Sequence, residues 1–336
     1  MAEQWTERIA PDEAERFERY AAELRALQHG RRASRGRVER GLHVKPHVGA
    51  VGRLEIGVVP EGFGAAFFAA PGTWPAFVRF SNGGPADKPD KANDVRGLAI
   101  KLVGVPGAKI IPGLEAAATQ DFLFIHLPAI GVRDPDEFVT LVRLAARGPA
   151  LLVPRLIGAL GFRRALAIVR GVIGMPKVRS MATTRFYTAA PIRFGSAAVK
   201  LALFPEQADV PRRPGGRDAL RDDLVQRLAS GDLVWRLMAQ RFVDEATTPI
   251  EDAALPWPET QAPFVELGRL IVPTQDIRSP RGEALEAQIE TLSFDPWHAV
   301  PELRPLGAIM RARAVAYRES VLERGAAPEP ESVPSL

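Results

Sequence analysis

Near the end of the chain, Arg313-Ala-Val-Ala-Tyr317 sets an arginine four residues before one of only three tyrosines, and Arg324 follows seven residues after it. On an α-helix these offsets bring both guanidiniums to the phenol's face, about one turn below and about two turns above. A fixed cation beside a phenol stabilises the phenolate, which otherwise forms only near pH ~10. A phenolate held at neutral pH is a hard anionic ligand for ferric iron, haem iron included. The same spacing also describes a helical tyrosine packed under an arginine stem, so the pair is weighed together with the other polar clusters.

Four such clusters stand out. His43 lies in Glu39-Arg40-Gly41-Leu42-His43-Val44-Lys45, with His47 four residues on as a competitor that spacing cannot separate from it. A functional histidine needs a partner to orient its ring and cations nearby to hold an anion. Arg79-Phe80-Ser81 follows, and on a strand Arg79 and Ser81 share one face while Phe80 takes the other. A guanidinium among apolar neighbours needs a partner if it is buried. Asp94-Val95-Arg96-Gly97, running on to Lys101, reads as a turn with an ion pair feeding a strand. Thr119-Gln120-Asp121 leads polar groups into the apolar run Phe122-Leu123-Phe124.

The elements that must carry these residues change character along the chain. Phe17, Tyr20, Ala21, Leu24 and Leu27 recur at three and four, which predicts a helix through 12–40 that ends near His29-Gly30. Strand-like runs follow over 43–59, 64–70, 76–81, 94–103 and 121–127, with none of the intervening helices that a parallel sheet requires. That favours a barrel or sandwich. From Asp134 the pattern turns helical, and no carboxylate occurs between Glu137 and Glu206 although Arg143, Arg147, Arg155, Arg163, Arg164, Arg170 and Lys177 do. For 138–178 the expectation is a helix pair packed on the barrel with its arginines reaching outward; the alternative is peripheral contact with a membrane. Strands are expected again at 184–191 and 197–203, helices at 218–228 and 233–242, and a disordered tail over 326–336. The simplest division is a helical arm over 1–35, one strand-rich unit over 36–325, and that tail.

Composition removes several chemistries. With no cysteine there is no disulfide, thiolate-ligated metal or cysteine nucleophile, and the five scattered histidines offer no paired metal-binding motif. Neither a G-x-G-x-x-G nor a P-loop signature occurs. A net charge of +4 does not argue for nucleic acid. The N-terminal residues lack an apolar h-region and no apolar run approaches ~18 residues, so a cytoplasmic location is the expectation.

Taken together and in this order, the clusters resemble the haem catalase superfamily. Glu39-Arg40-Gly-Leu-His43-Val-Lys45 is similar to the family's E-R-V-V-H-A-[KR], whose histidine is the distal catalytic residue. Arg79-Phe80-Ser81 matches R-F-S, whose arginine holds a haem propionate and whose serine bonds the histidine. Asp94 to Lys101 resembles R-D-P-R-G-F-A-[VL]-K, and Asp134-Pro135-Asp-Glu-Phe138 resembles D-P-x-x-F. Arg313-Ala-Val-Ala-Tyr317 matches the proximal R-L-F-S-Y, with Arg324 in the place of another haem-contacting arginine. Three features depart from the family. The asparagine over the iron falls at Thr119 or Gln120, the glycine-rich run after the histidine is replaced by Pro46-His47-Val48-Gly49, and the chain is short for a catalase.

The resemblance implies an α+β protein with an antiparallel β-barrel core and helices packed outside. It implies haem b held through Tyr317, with Arg40, Arg79, Arg313 and Arg324 around it, and His43, Ser81, Thr119 and Gln120 on the catalytic side. The activity it implies is that of a peroxidase using hydrogen peroxide or organic hydroperoxides and a small-molecule electron donor, in a homo-oligomer. Rearrangement of fatty-acid hydroperoxides, as in allene oxide synthases, and haem binding without turnover are the alternatives.

Overall fold

Runs in which every second residue is apolar form a continuous antiparallel sheet. The computed structural model describes residues 4–35, 40–148, 151–208 and 216–334; side chains at 27–35, 146, 319–320 and 322–324 fall outside that description. The strands are β1 (Pro46–Ile56), β2 (Gly72–Asn82), β3 (Arg96–Val103), β4 (Thr119–Ile125), β5 (Phe186–Tyr187), β6 (Ile192–Phe194), β7 (Ala197–Pro205), β8 (Leu233–Arg241) and β9 (Val265–Val272). Their order is β5-β4-β3-β2-β1-β9-β8-β7-β6, and an additional β5–β7 pairing closes the ring. Eight of these strands therefore form a barrel, with β6 hanging from β7 outside the closure. A closed barrel leaves no exposed sheet edge.

One row from each strand fills the barrel. Val78 and Phe80 of β2, Leu98, Ile100 and Leu102 of β3, and Trp235 and Leu237 of β8 are all buried in a single apolar core. Burying each such side chain contributes about 1.5–3 kcal/mol. The alternate row of β2 and β3 faces outward and carries Phe77, Arg79, Ser81, Gly97, Ala99 and Lys101, aligned by the register Phe77↔Lys101, Arg79↔Ala99 and Ser81↔Gly97.

Among the described residues, seven helices pack around the barrel, some on the sheet and some on one another. They are α1 (Glu13–Arg35), α2 (Pro135–Ala146), α3 (Leu152–Leu160), α4 (Phe162–Ile173), α5 (Ala219–Leu228), α6 (Pro280–Thr291) and α7 (Ala308–Arg324). α1 packs on α7, α2 meets α1, α3 and α7, and α6 lies on β1 and β2. Asp134 caps α2 by accepting from the Glu137 amide at 2.9 Å, and Pro135 occupies the first turn, where its missing N–H costs nothing.

The architecture expected from the sequence is present, and four local expectations need correction. α1 runs on through Gly30 to Arg35. The strand expected at 64–70 is a 3-10 turn at Ala66–Ala69. The helix expected at 233–242 is strand β8. Its leucines, Met238 and Gln240 suit helices, but β8 pairs with both β7 and β9, and its alternation drives Leu233, Trp235 and Leu237 inward. The tail expected to be disordered is docked: the Ala327 amide donates to Thr291 O at 3.0 Å, and Glu329 meets Lys101 at 2.6 Å. β9 and α6 had no counterpart in the sequence reading.

Candidate active site

The segment before β1 is laced to the end of β2. The His43 amide donates to Gly83 O at 3.1 Å, the Val44 amide to Gly84 O at 3.3 Å, and the Asn82 amide to Lys45 O at 2.9 Å. A register shift between Pro46 and Val48 places a bulge at His47. Bulges re-aim the adjoining chain, and here the chain turns so that His43 adopts φ 56°. A left-handed backbone at a non-glycine residue costs on the order of 1–3 kcal/mol and persists only where its surroundings hold it.

What holds it is the outer face of β2 and β3. His43 Nδ1 lies 2.9 Å from Ser81 Oγ. A Cβ built on Gly97 would stand 2.5 Å from His43 Cε1 and 2.6 Å from Nδ1. Only glycine at this position lets the imidazole lie on the strand. Burial first, and then the Arg79, Arg313 and Arg40 cations, push the His43 imidazole down to about 3, so it is neutral at physiological pH. The residue keeps partial accessibility because its ring faces a cavity rather than bulk water.

That cavity is about 510 Å³ and lies between the outer face of β2–β4 and helices α2 and α7. Tyr317 of α7 lines it with His43, Ser81, Arg40, Arg79 and Arg313. Arg313 Nη2 donates to Tyr317 Oη at 2.7 Å, and its guanidinium carbon lies 4.9 Å from the phenol's ring centroid. The four-residue spacing thus does bring cation and phenol together on one helix face. The remaining walls are apolar, with Phe138, Leu141, Val142 and Ala145 from α2 and Leu123, Phe124 and Ile125 from β4.

Arg79 and Arg40 meet a carboxylate that the sequence reading missed. Arg79 Nε donates to Glu290 Oε1 at 2.6 Å, and its Nη2 donates to Oε2 and to His43 O, both at 3.1 Å. Arg40 donates to Leu292 O at 2.8 Å and lies 3.5 Å from Glu290 Oε2. Glu290 belongs to α6, an element absent from the sequence expectations, so nothing marked it.

Two predicted residues are not brought to this cavity. Thr119 Oγ lies 2.6 Å from His298 Nε2 and donates to Glu329 at 2.8 Å, at the opposite end of β4. Gln120 accepts from the Val300 amide at 3.0 Å. Neither lines the cavity; β4 instead presents Leu123, which the register pairs with Ala99. The competitor His47 is also excluded, being fully buried with Nε2 2.7 Å from Asn82 Oδ1 and off the cavity. The Arg324 side chain lies outside the described residues.

The residues present fit a haem. The chain offers a phenol oxygen backed by a guanidinium, a neutral imidazole seated on a glycine, two arginines at the rim, and apolar walls. A cavity of about 510 Å³ falls within the ~300–1,000 Å³ typical of cofactor pockets.

No protein-family model matches the chain, and no curated protein does either. Solved structures do. A fungal catalase superposes with a TM-score of 0.68 at 22% identity, over 90% of this chain and 61% of its own. Catalase A from Saccharomyces cerevisiae gives 0.69 at 17% identity, over 96% and 67%. A bacterial catalase gives 0.66 at 20% identity, over 90% and 60%. The fold is that of the catalases, on a chain spanning about three fifths of the fungal enzyme's length.

Proposed function

We propose that the chain is a haem peroxidase of the catalase fold, acting on peroxides in the cavity between β2–β4 and α7. One observation carries this reading: a neutral, oriented imidazole and a phenol backed by an arginine line the same cavity. Haem, when bound, supplies the ferric iron at which a peroxide's O–O bond is broken. Tyr317 is the residue to ligate that iron, since the N–H donated by Arg313 leaves a phenol lone pair for the metal. Arg40 and Arg79 are the cations for the propionates, and they share their charge with Glu290.

His43 handles the proton. In the tautomer whose Nδ1–H is directed to Ser81 Oγ, Nε2 is the nitrogen that would take a proton from a peroxide in the cavity. Held this weakly basic, the imidazole would release that proton again to the leaving oxygen rather than keep it. Ser81 and Gly97 position the ring, the first by its hydrogen bond and the second by the space it leaves.

The apolar wall at Leu123 supports a peroxidase rather than a dismutase. No amide or hydroxyl from β4 reaches the cavity to orient a second hydrogen peroxide, which favours reduction by an external donor over dismutation. Leu123, Phe138 and Leu141 suit an organic hydroperoxide. His43→Ala is expected to keep the Soret band while slowing reaction with peroxide by about 10²–10⁴-fold. An unchanged rate overturns this role for His43. An epoxide formed without consumption of a donor overturns the peroxidase reading.

A further inference from the structure

The stretch without carboxylates folds into a surface that no other described element covers. α3 and α4 form a hairpin turning at Gly161, where φ is 79°. The hairpin packs on α2 through Leu156 and Ala165, which join Leu144 and Leu141 in a small core. Its other side is exposed and apolar. Ten large hydrophobic side chains are exposed among the described residues, and six of them fall in this segment: Leu151, Val153, Ile157, Phe162, Val172 and Ile173. Phe162, at the turn, is 64% exposed and Ile173 is 73% exposed. Exposed large hydrophobics concentrated in one hairpin point to an interaction site.

We propose that the α3–α4 hairpin docks on an anionic lipid bilayer. Charge selects this occupant. Arg143, Arg147, Arg163, Arg170 and Lys177 are exposed around the apolar side chains, and no acidic residue occurs from 138 to 205. An isologous contact with a second copy would set this basic rim against itself. A negatively charged headgroup layer complements it, with the apolar side chains entering the acyl boundary and the arginine stems spanning the interface. No helix among the described residues is long and apolar enough to cross a membrane, so the contact is with the surface. Leu141 and Ala145 of α2 line the cavity while Leu144 packs under the hairpin, so a docked bilayer lies one helix, about 10 Å, from the cavity.

Vesicle flotation of the full chain tests this without haem, separately from the peroxidase reading. The protein is expected to float with phosphatidylcholine vesicles containing phosphatidylglycerol and not with phosphatidylcholine alone, with binding weakened by salt. Ile157→Asp combined with Phe162→Asp alters exposed positions, so the melting temperature is expected to be unchanged. Partitioning is expected to drop at least about tenfold for the lost apolar burial alone. Arg163→Ala with Arg170→Ala is expected to weaken binding to the anionic vesicles and to reduce its dependence on salt. The proposal is overturned by equal binding to both vesicle types, by no flotation, or by full binding of the double aspartate variant. It is equally overturned by a concentration-dependent dimer that the aspartates dissolve, or by an acidic protein that binds the hairpin while vesicles do not.

Discussion

The outer face of β2–β4 carries two polar centres with opposite designs. Around His43 the imidazole is neutral and the face opens into a cavity. Two residues further along β3 from Ala99, Lys101 lies fully buried, 2.8 Å from Asp121 and 2.6 Å from Glu329 of the docked tail. Ser293 and Thr119 add hydrogen bonds of 2.9 and 2.8 Å to Glu329, and the Asp295 amide donates to Asp121 at 2.8 Å. The second centre is paired and capped by chain; the first faces open space. A sheet face thus becomes a site where helices stand off from it, and a structural anchor where a segment closes over it.

The contrast can be broken from either side. The largest effect is expected at the anchor. Lys101→Met removes the cation between buried Asp121 and partly buried Glu329 and should lower stability by about 3–5 kcal/mol, read by denaturant unfolding. Folded variant at permissive temperature should keep its reaction with peroxide, because Lys101 is not at the cavity. Gly97→Ala comes next. Its methyl would meet the His43 ring at 2.5 Å, and a displacement of that size is expected to slow the peroxide reaction about 10²-fold in stopped-flow measurements. Ser81→Ala frees the imidazole without displacing it and should cost about tenfold, at the low end of what an orienting partner contributes. Glu290→Gln removes the resident competitor for Arg40 and Arg79 and is expected to tighten haem binding in titrations.

The pH dependence of stability should show the two centres with opposite signs. His43 is held near 3 against an ordinary 6.5, so between these values the unfolded chain takes up a proton that the native site refuses. That contribution lowers stability as pH falls from about 6.5 towards 3. Asp121 behaves in reverse. Burial pushes it up from 3.8 to about 7 against the pull of Lys101, with Glu329 adding to the rise. The native state then keeps a proton the unfolded chain has released, and stability falls as pH rises from about 3.8 to 7. His43→Ala should flatten the first slope and Asp121→Asn the second, in unfolding curves taken across this range.

How much of this was legible in the sequence follows from range and parity. Arg313 and Tyr317 share a helix face by local spacing alone, and Arg79 and Ser81 share a strand face by alternation. Short strands in quick succession announced the antiparallel sheet. The distal wall was not legible, because whether Thr119 or Leu123 reaches the cavity depends on how far along β4 the register with β3 places each residue. Leu123 and Thr119 point the same way, four residues apart, and only the pairing Ala99↔Leu123 tells which one meets the site. β8 was misread because Leu233 and Leu237 satisfy a helical spacing as well as an alternating one. Glu290 meets Arg79 and Glu329 meets Lys101 across more than two hundred residues of sequence, where no local pattern reaches.

We propose that Tyr317 ligates a haem in the cavity that His43 faces. The absorption spectrum of the haem-reconstituted protein, beside that of Tyr317→Phe, tests it most directly. The expected result is a Soret band with the charge-transfer band of tyrosinate-ligated high-spin ferric haem, and loss of that charge-transfer band in the variant. A wild-type protein with no Soret band after reconstitution, or a Tyr317→Phe spectrum identical to the wild type, would contradict it.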